Sequence, residues 1–208
     1  TLETIFPKIT TRANISSTYY QLTGSTLTRT TAGAGVDFAF PFTNQVELFN
    51  TKVNHTLTPI ISYNYRAKEL QGNIPIFDTT DKFDDIITFT DLTSGERYTG
   101  LDRVTNANDF TLSLESSFRK FDSKEEDLDL FNFRIAQSYY ADTEVVSDSS
   151  DTNYEARRSY SDIAASVGIA VNQFILKTAV QYDPEISKTT KTTNEISYKT
   201  NPRKFVSL

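Results

Sequence analysis

The chain has 208 residues with 21 Lys and Arg against 27 Asp and Glu, a net charge of −6, which argues against the basic stripe that a nucleic-acid partner requires. It has no cysteine, so a disulfide, a thiolate metal site and a cysteine nucleophile are all excluded within it. Only 38% of the residues are hydrophobic, yet 15 Phe and 11 Tyr are among them and Thr and Ser abound, a composition suited to strands that are apolar on one face.

The predicted elements are strands almost throughout. Residues 5–22 alternate, with Ile9, Ala13, Ile15 and Tyr19 on one side and Arg12, Asn14, Ser16 and Thr18 on the other. Thr23-Gly24-Ser25 signals a turn. The return strand is expected over 26–42, with Val36, Phe38, Phe40 and Phe42 on one face and a bend or bulge near Gly33 and Gly35. Residues 43–53 read as a connection. The strand over 53–67 is the clearest: His55, Leu57, Pro59, Ile61, Tyr63 and Tyr65 share a face, and Pro59 calls for a local bulge or break because it cannot donate to a ladder.

Between Pro75 and Asn108 the alternation stops. Ile76, Phe77, Phe83, Ile86, Ile87, Phe89, Tyr98 and Leu101 interleave with Asp78, Asp81, Asp84, Asp85 and Asp91. The stretch is too long for a turn and too apolar for a disordered linker. Loops longer than about 12–15 residues are usually functional, so a folded plug or cap is expected here. Strands follow over 108–119, 128–141, 160–171, 174–183 and 194–200, with a further start at Lys204. A charged turn separates the first two, an acidic Ser-rich loop spans 142–157, Asn172-Gln173 is a tight turn, and 184–192 reads as a polar loop.

No run of about 18 apolar residues exists, so no transmembrane helix is encoded; barrel strands, however, cross a bilayer with about 9–11 alternating residues each. Long connections at 68–107, 142–158 and 184–192 alternate with short ones at 120–127, 172–173 and 201–203, as in outer-membrane barrels. Tyr63, Tyr65, Tyr139, Tyr140, Tyr160 and Tyr182 lie beside the long connections, where an aromatic girdle belongs. The expected fold class is therefore all-β: an antiparallel transmembrane β-barrel wall of about nine strands with one long folded loop. A soluble carbohydrate-binding sandwich produces the same alternation by packing its apolar faces inward, and a diffusion porin produces the same wall.

Three segments carry a resemblance: Pro75-Ile-Phe-Asp78, Gly100-Leu-Asp-Arg-Val104 with Asn106-Ala-Asn108, and Ile135-Ala-Gln-Ser-Tyr-Tyr140. In this order and spacing the chain resembles the barrel of the LptD, or organic-solvent-tolerance, family of lipopolysaccharide-assembly proteins, and Val180-Gln-Tyr-Asp183 fits a later strand of that pattern. The resemblance implies the middle portion of a very large barrel in the bacterial outer membrane, residues 1–208 forming part of one barrel domain with the 68–107 loop on the extracellular side. It implies transport of lipopolysaccharide without covalent chemistry. The implied partners are a lipoprotein plug of the LptE type, a periplasmic bridge protein of the LptA type acting through parts of the family's proteins not seen in this stretch, and outer-membrane lipids. No cofactor is implied. Ala136 stands where the family pattern often has Gly, and the family's jelly-roll domain, seam strands and cysteines are missing from this stretch.

Asp78, Gly100, Asp102, Arg103 and Asn108 are expected to anchor the long loop, with Gly100 supplying a backbone angle that other residues resist. Asp78, Asp81, Asp84 and Asp85 read as solvated or salt-bridged, with a bridging cation as the alternative; their spacing is not that of an EF-hand. Arg66, Glu115, Arg119, Asn132, Arg134 and Lys177 fall on the polar faces and are the lumen-facing candidates. His55, the only histidine, sits on an apolar face and reads as a packing residue, which argues against a hydrolase.

Overall fold

Strict two-residue alternation over most of the chain produces one antiparallel sheet. The computed structural model describes residues 6–48, 50–67, 71–80, 86–120, 129–144, 158–201 and 204–207. Its strands are β1 (Lys8–Leu22), β2 (Ser25–Ala39), β3 (Phe42–Leu48), β4 (Thr51–Arg66), β5 (Ala107–Lys120), β6 (Phe131–Glu144), β7 (Arg158–Tyr160), β8 (Ile163–Val171), β9 (Phe174–Asp183), β10 (Lys188–Asn201) and β11 (Lys204–Ser207). Among the described residues a single short helix, α1 (Phe89–Ser94), interrupts them. The sheet has 11 strands in the order β1-β2-β4-β5-β6-β8-β9-β10-β11, with β3 paired to β4 and β7 to β6. Apart from β3 and β7, which share one edge of β4 and of β6 with β2 and β8, the strands follow one another across the sheet in chain order, and among the described residues the sheet is open.

Several boundaries differ from expectation. The segment read as a connection over 43–53 is largely β3, which pairs with the first half of β4 while β2 pairs with the second half. Phe40 and Phe42 accordingly do not belong to one strand: β2 ends at Ala39, and β3 begins after Pro41. Pro59 sits opposite this handover. Its carbonyl accepts the Phe40 N–H at 2.9 Å, so its missing donor points at the one place where the neighbouring ladder is already interrupted. The β4–β5 register runs through Pro59 without a shift, so the break lies in the neighbour and not in β4. No bulge occurs at Gly33 or Gly35 either. A Cβ at those positions would meet Asn14 Oδ1 at 2.7 Å and Asn64 Oδ1 at 2.9 Å, so both glycines make room for long polar side chains lying across the sheet. The polar loop expected over 184–192 shrinks to residues 184–187, because Lys188–Thr192 pairs with β9. The acidic turn at 121–127 and most of the 142–157 loop lie outside the described residues.

The two faces of the sheet are chemically distinct. Among the described residues, every large apolar side chain that is exposed within a strand lies on the same face, from Ile9 and Ile15 through Phe38, Ile61, Phe110 and Leu112 to Ile169, Leu176 and Ile196. No second layer covers this face among the described residues. Rows of aromatics border it. Tyr63, Phe110, Tyr139 and Tyr160 are in direct register at the end of the long loop, and His55, Phe118 and Phe131 at the other. His55 stacks on Phe118 with ring centroids 4.2 Å apart. Phe110 and Phe118 span about 26 Å of strand at ~3.3 Å per residue, or roughly 20 Å of height at a ~40° tilt, close to the apolar band of about 25 Å on outer-membrane barrels. Tyr140, expected in the girdle, instead pairs with Asp109 on the polar face.

Candidate functional site

The long loop folds back onto the polar face. Its helix is set by local chemistry. Thr88 and Asp91 form a reciprocal capping box, and Gly95 ends the helix in the left-handed conformation at φ 65. Ile87 and Leu92 then bury against Ala136 of β6 and Ala164 of β8, with Phe89 packed alongside. Small residues at 136 and 164 leave the space that a helix needs to sit on a sheet.

Polar contacts dock the rest, and most have one form: a side chain of the sheet donates to a backbone carbonyl of the loop. Arg12 and Asn64 both reach Thr93 O, at 3.3 and 3.2 Å. Thr111 donates to Leu92 O at 3.0 Å, Arg66 to Thr105 O at 3.1 Å, and Tyr20 to Leu101 O at 3.1 Å. Arg29 donates to Asp102 O at 2.6 Å, to Gln71 Oε1 at 2.9 Å and to Leu101 O. Gln181 of β9 inverts the pattern, accepting the Ile87 N–H at 3.0 Å.

The expected anchor residues divide. Asp78, Gly100 and Asp102 form one knot. The Asp102 carboxylate accepts the N–H groups of Phe77 at 2.5 Å and Asp78 at 2.7 Å, while Asp78 Oδ1 accepts the Leu101 N–H at 3.1 Å. Gly100 has φ 74, and a Cβ there would lie 2.5 Å from the Asp78 carbonyl oxygen. Arg103 braces the knot from the side, donating to Ile74 O at 2.8 Å. Burial disfavours the charged form of Asp102, but the Asp78 and Phe77 N–H groups and the nearby Arg103 charge outweigh it and hold the carboxyl below its ordinary value of 3.8. Asn108 lies apart from the knot. It is the second residue of β5, on the apolar side, where its Oδ1 accepts a hydrogen bond from the Tyr63 hydroxyl at 3.0 Å. Asp81, Asp84 and Asp85 lie outside the described residues.

Arg66, Glu115, Arg119, Asn132, Arg134 and Lys177 all share the polar face by register. Their charges are largely paired: Arg66 with Glu96 of the loop at 2.6 Å, Arg134 with Glu115 at 3.1 Å, Arg119 with Asp129 at 2.9 Å and Lys177 with Glu195 at 3.6 Å. Asn132 fills the space above Gly168, and the Arg134 guanidinium lies 5.7 Å from the Phe89 ring centroid, beside α1.

Sequence reading missed Tyr20, Arg29, Gln71 and the Ala136–Ala164 platform. The available signal was an arginine set in a Thr-rich strand, and two alanines on the polar side of the alternation in their strands.

The family model described as LptD, LPS transport system D, matches residues 2–208. The chain belongs to the LptD family. It is similar to the LPS-assembly protein LptD of Shewanella frigidimarina, with 30% identity over 183 residues, covering 88% of this chain and 23% of that protein. It is also similar to LptD of Pseudoalteromonas atlantica, at 33% over 114 residues, 55% of this chain and 14% of the relative. LptD of Burkholderia lata is 28% identical over 173 residues, 83% and 21% of the two chains. The chain thus spans less than a quarter of the length of these curated relatives. In this LptD-family chain two of the motif segments quoted above meet in space: Phe77-Asp78 and Leu101-Asp102 are the two halves of the knot.

Proposed function

We propose that residues 1–208 form part of the wall of one LptD-type barrel in the outer membrane of a bacterium, and that the barrel moves lipopolysaccharide to the outer leaflet. The observation that carries this is the division of the sheet: exposed Ile, Leu, Phe and Tyr on one face, and on the other a charged surface on which the chain's own loop is docked. In hydrocarbon a sheet persists only when its backbone groups are paired and its outward face is apolar, which suits the first face to acyl chains and the second to a wet lumen. Lipopolysaccharide is the substrate in this reading. A lipoprotein plug of the LptE type and a bridge protein of the LptA type are the partners. The long loop stands on the extracellular side as a lumenal cap, and no covalent step is involved.

The test is to express the full-length protein and ask whether it extracts only in detergent and co-purifies with a small lipoprotein. A soluble monomer without a partner overturns the reading. A loop lying on the polar face also suits the constriction of a diffusion porin. Steady conductance in planar bilayers by the full-length protein, unaffected by its lipoprotein, would favour that alternative.

A further inference from the structure

Among the described residues, no carboxylate meets the charge of Arg29, a buried cation. It is 6% exposed, and among the described residues its guanidinium contacts only neutral groups: the carbonyls of Leu101 and Asp102, the Gln71 amide oxygen, and the Tyr20 ring with its centroid 6.0 Å away. Neighbouring arginines on the same face differ. Arg12 pairs with Asp37 of the sheet, and Arg66 with Glu96 of the loop. A buried charge without a counter-charge is costly, and an anionic acceptor makes hydrogen bonds roughly twice as strong as a carbonyl does. The guanidinium fork also matches the paired oxygens of a phosphate.

The occupant now on Arg29 is exchangeable by construction. The knot above it presents Phe77, 69% exposed, and Leu101, 65% exposed, outward, so these two side chains lose little apolar burial when it lifts from the sheet. Among the described residues, its hold on β1 and β2 consists of hydrogen bonds from Tyr20 and Arg29.

We propose that Arg29 is a phosphate site, occupied by loop carbonyls at rest and by a phosphate of the glycolipid headgroup during transport, so that loop docking and headgroup binding exclude one another. This rests on the function proposed above, and the experiment separates the two. The full-length protein with its lipoprotein partner is reconstituted in vesicles, and trypsin cleavage at Arg103 of the loop is followed. The arms are lipopolysaccharide, its enzymatically dephosphorylated form, and inorganic phosphate alone. The phosphorylated glycolipid is expected to speed cleavage roughly tenfold, the scale of exchanging hydrogen bonds to a charged group, and the dephosphorylated form to leave it unchanged. Arg29→Gln abolishes that difference, while Arg29→Lys, which keeps the charge and folds more safely, retains part of it. Equal cleavage with both glycolipids, or an Arg29→Gln protein that responds as wild type does, overturns the proposal. An equal response to inorganic phosphate alone overturns the headgroup as the occupant. Labelled glycolipid bound in the same vesicles is the control: binding with a loop that stays protected sinks the Arg29 site alone, whereas no binding in any variant sinks the transport reading.

Discussion

Asp78 and Asp102 close the loop on itself through reciprocal contacts: the Asp102 carboxylate takes the Asp78 N–H at 2.7 Å, and the Asp78 carboxylate takes the N–H of Leu101 at 3.1 Å. Because Asp102 is buried and accepts two backbone donors, removing it leaves both without a partner. Asp102→Ala should cost the knot about 1.5–3 kcal/mol, the range for hydrogen bonds to a charged group. Hydrogen exchange of the peptide spanning 76–80 in the full-length protein reads this directly. Exchange there should accelerate while the strands stay protected, and unchanged protection would mean that the carboxylate is dispensable. Asp102→Asn keeps one acceptor oxygen and should fall between.

The same carboxyl makes the knot acid-sensitive. Its pKa is lower when docked than in the free loop, so the free loop binds more protons as pH falls. The contribution is complete above the ordinary value of 3.8 and is lost as pH drops through the lower docked value. Exchange at Phe77 and Asp78, corrected for intrinsic rate, should therefore stay flat at neutral pH and begin to rise only as pH falls through the ordinary value of 3.8. In Asp102→Ala the acid dependence should vanish. An onset at neutral pH would assign the effect to another group.

Gly100 and Gly95 both hold positive φ, at 74 and 65, yet they should not be equally intolerant. Alanine in this conformation costs about 1–2 kcal/mol at either position. At Gly100 the new Cβ also meets the Asp78 carbonyl at 2.5 Å, backbone that the knot itself fixes in place. At Gly95 it meets Asn64 Cβ and Cγ at 3.0 Å, a milder overlap relieved by a shift of a few tenths of an ångström at the expense of the Asn64 bond to Thr93 O. Gly100→Ala should open the loop more than Gly95→Ala, judged by trypsin cleavage at Arg103, and the reverse order would contradict this geometry.

These residues were legible in unequal degree. Gly100 and Asp102 stood out because a Gly-Leu-Asp-Arg run inside an apolar loop names both an unusual backbone angle and its anchor. The strand faces were legible from alternation alone, since a two-residue period leaves one choice per strand. What alternation cannot carry is which strand lies beside which. The strand status of Phe42–Leu48 depends on β4 continuing past the point where β2 stops, a tertiary fact. Arg29 reads in sequence as one polar residue among threonines, and only the folded loop shows that its guanidinium is buried beneath Leu101 and Asp102. Pro59 signalled an interruption that lies across the ladder in its neighbour, at Phe40 and Pro41.

The sharpest test of the sheet's orientation is one charge placed on either face of a single strand. Leu114 and Ser117 both lie on β5, on opposite faces, and the first faces the apolar side midway between the aromatic rows. If that side meets acyl chains, Leu114→Arg should destabilise the full-length barrel by about 2–4 kcal/mol, the cost of arginine near a bilayer midplane. Ser117→Arg, on the wet side and next but one to Arg119, should cost far less. Unfolding by denaturant from lipid vesicles measures both. The contrast should disappear in a soluble background, because only the hydrocarbon makes the two faces unequal for a side chain that neither pairs nor packs. A Leu114→Arg protein as stable as Ser117→Arg would show that water wets both sides of the strand.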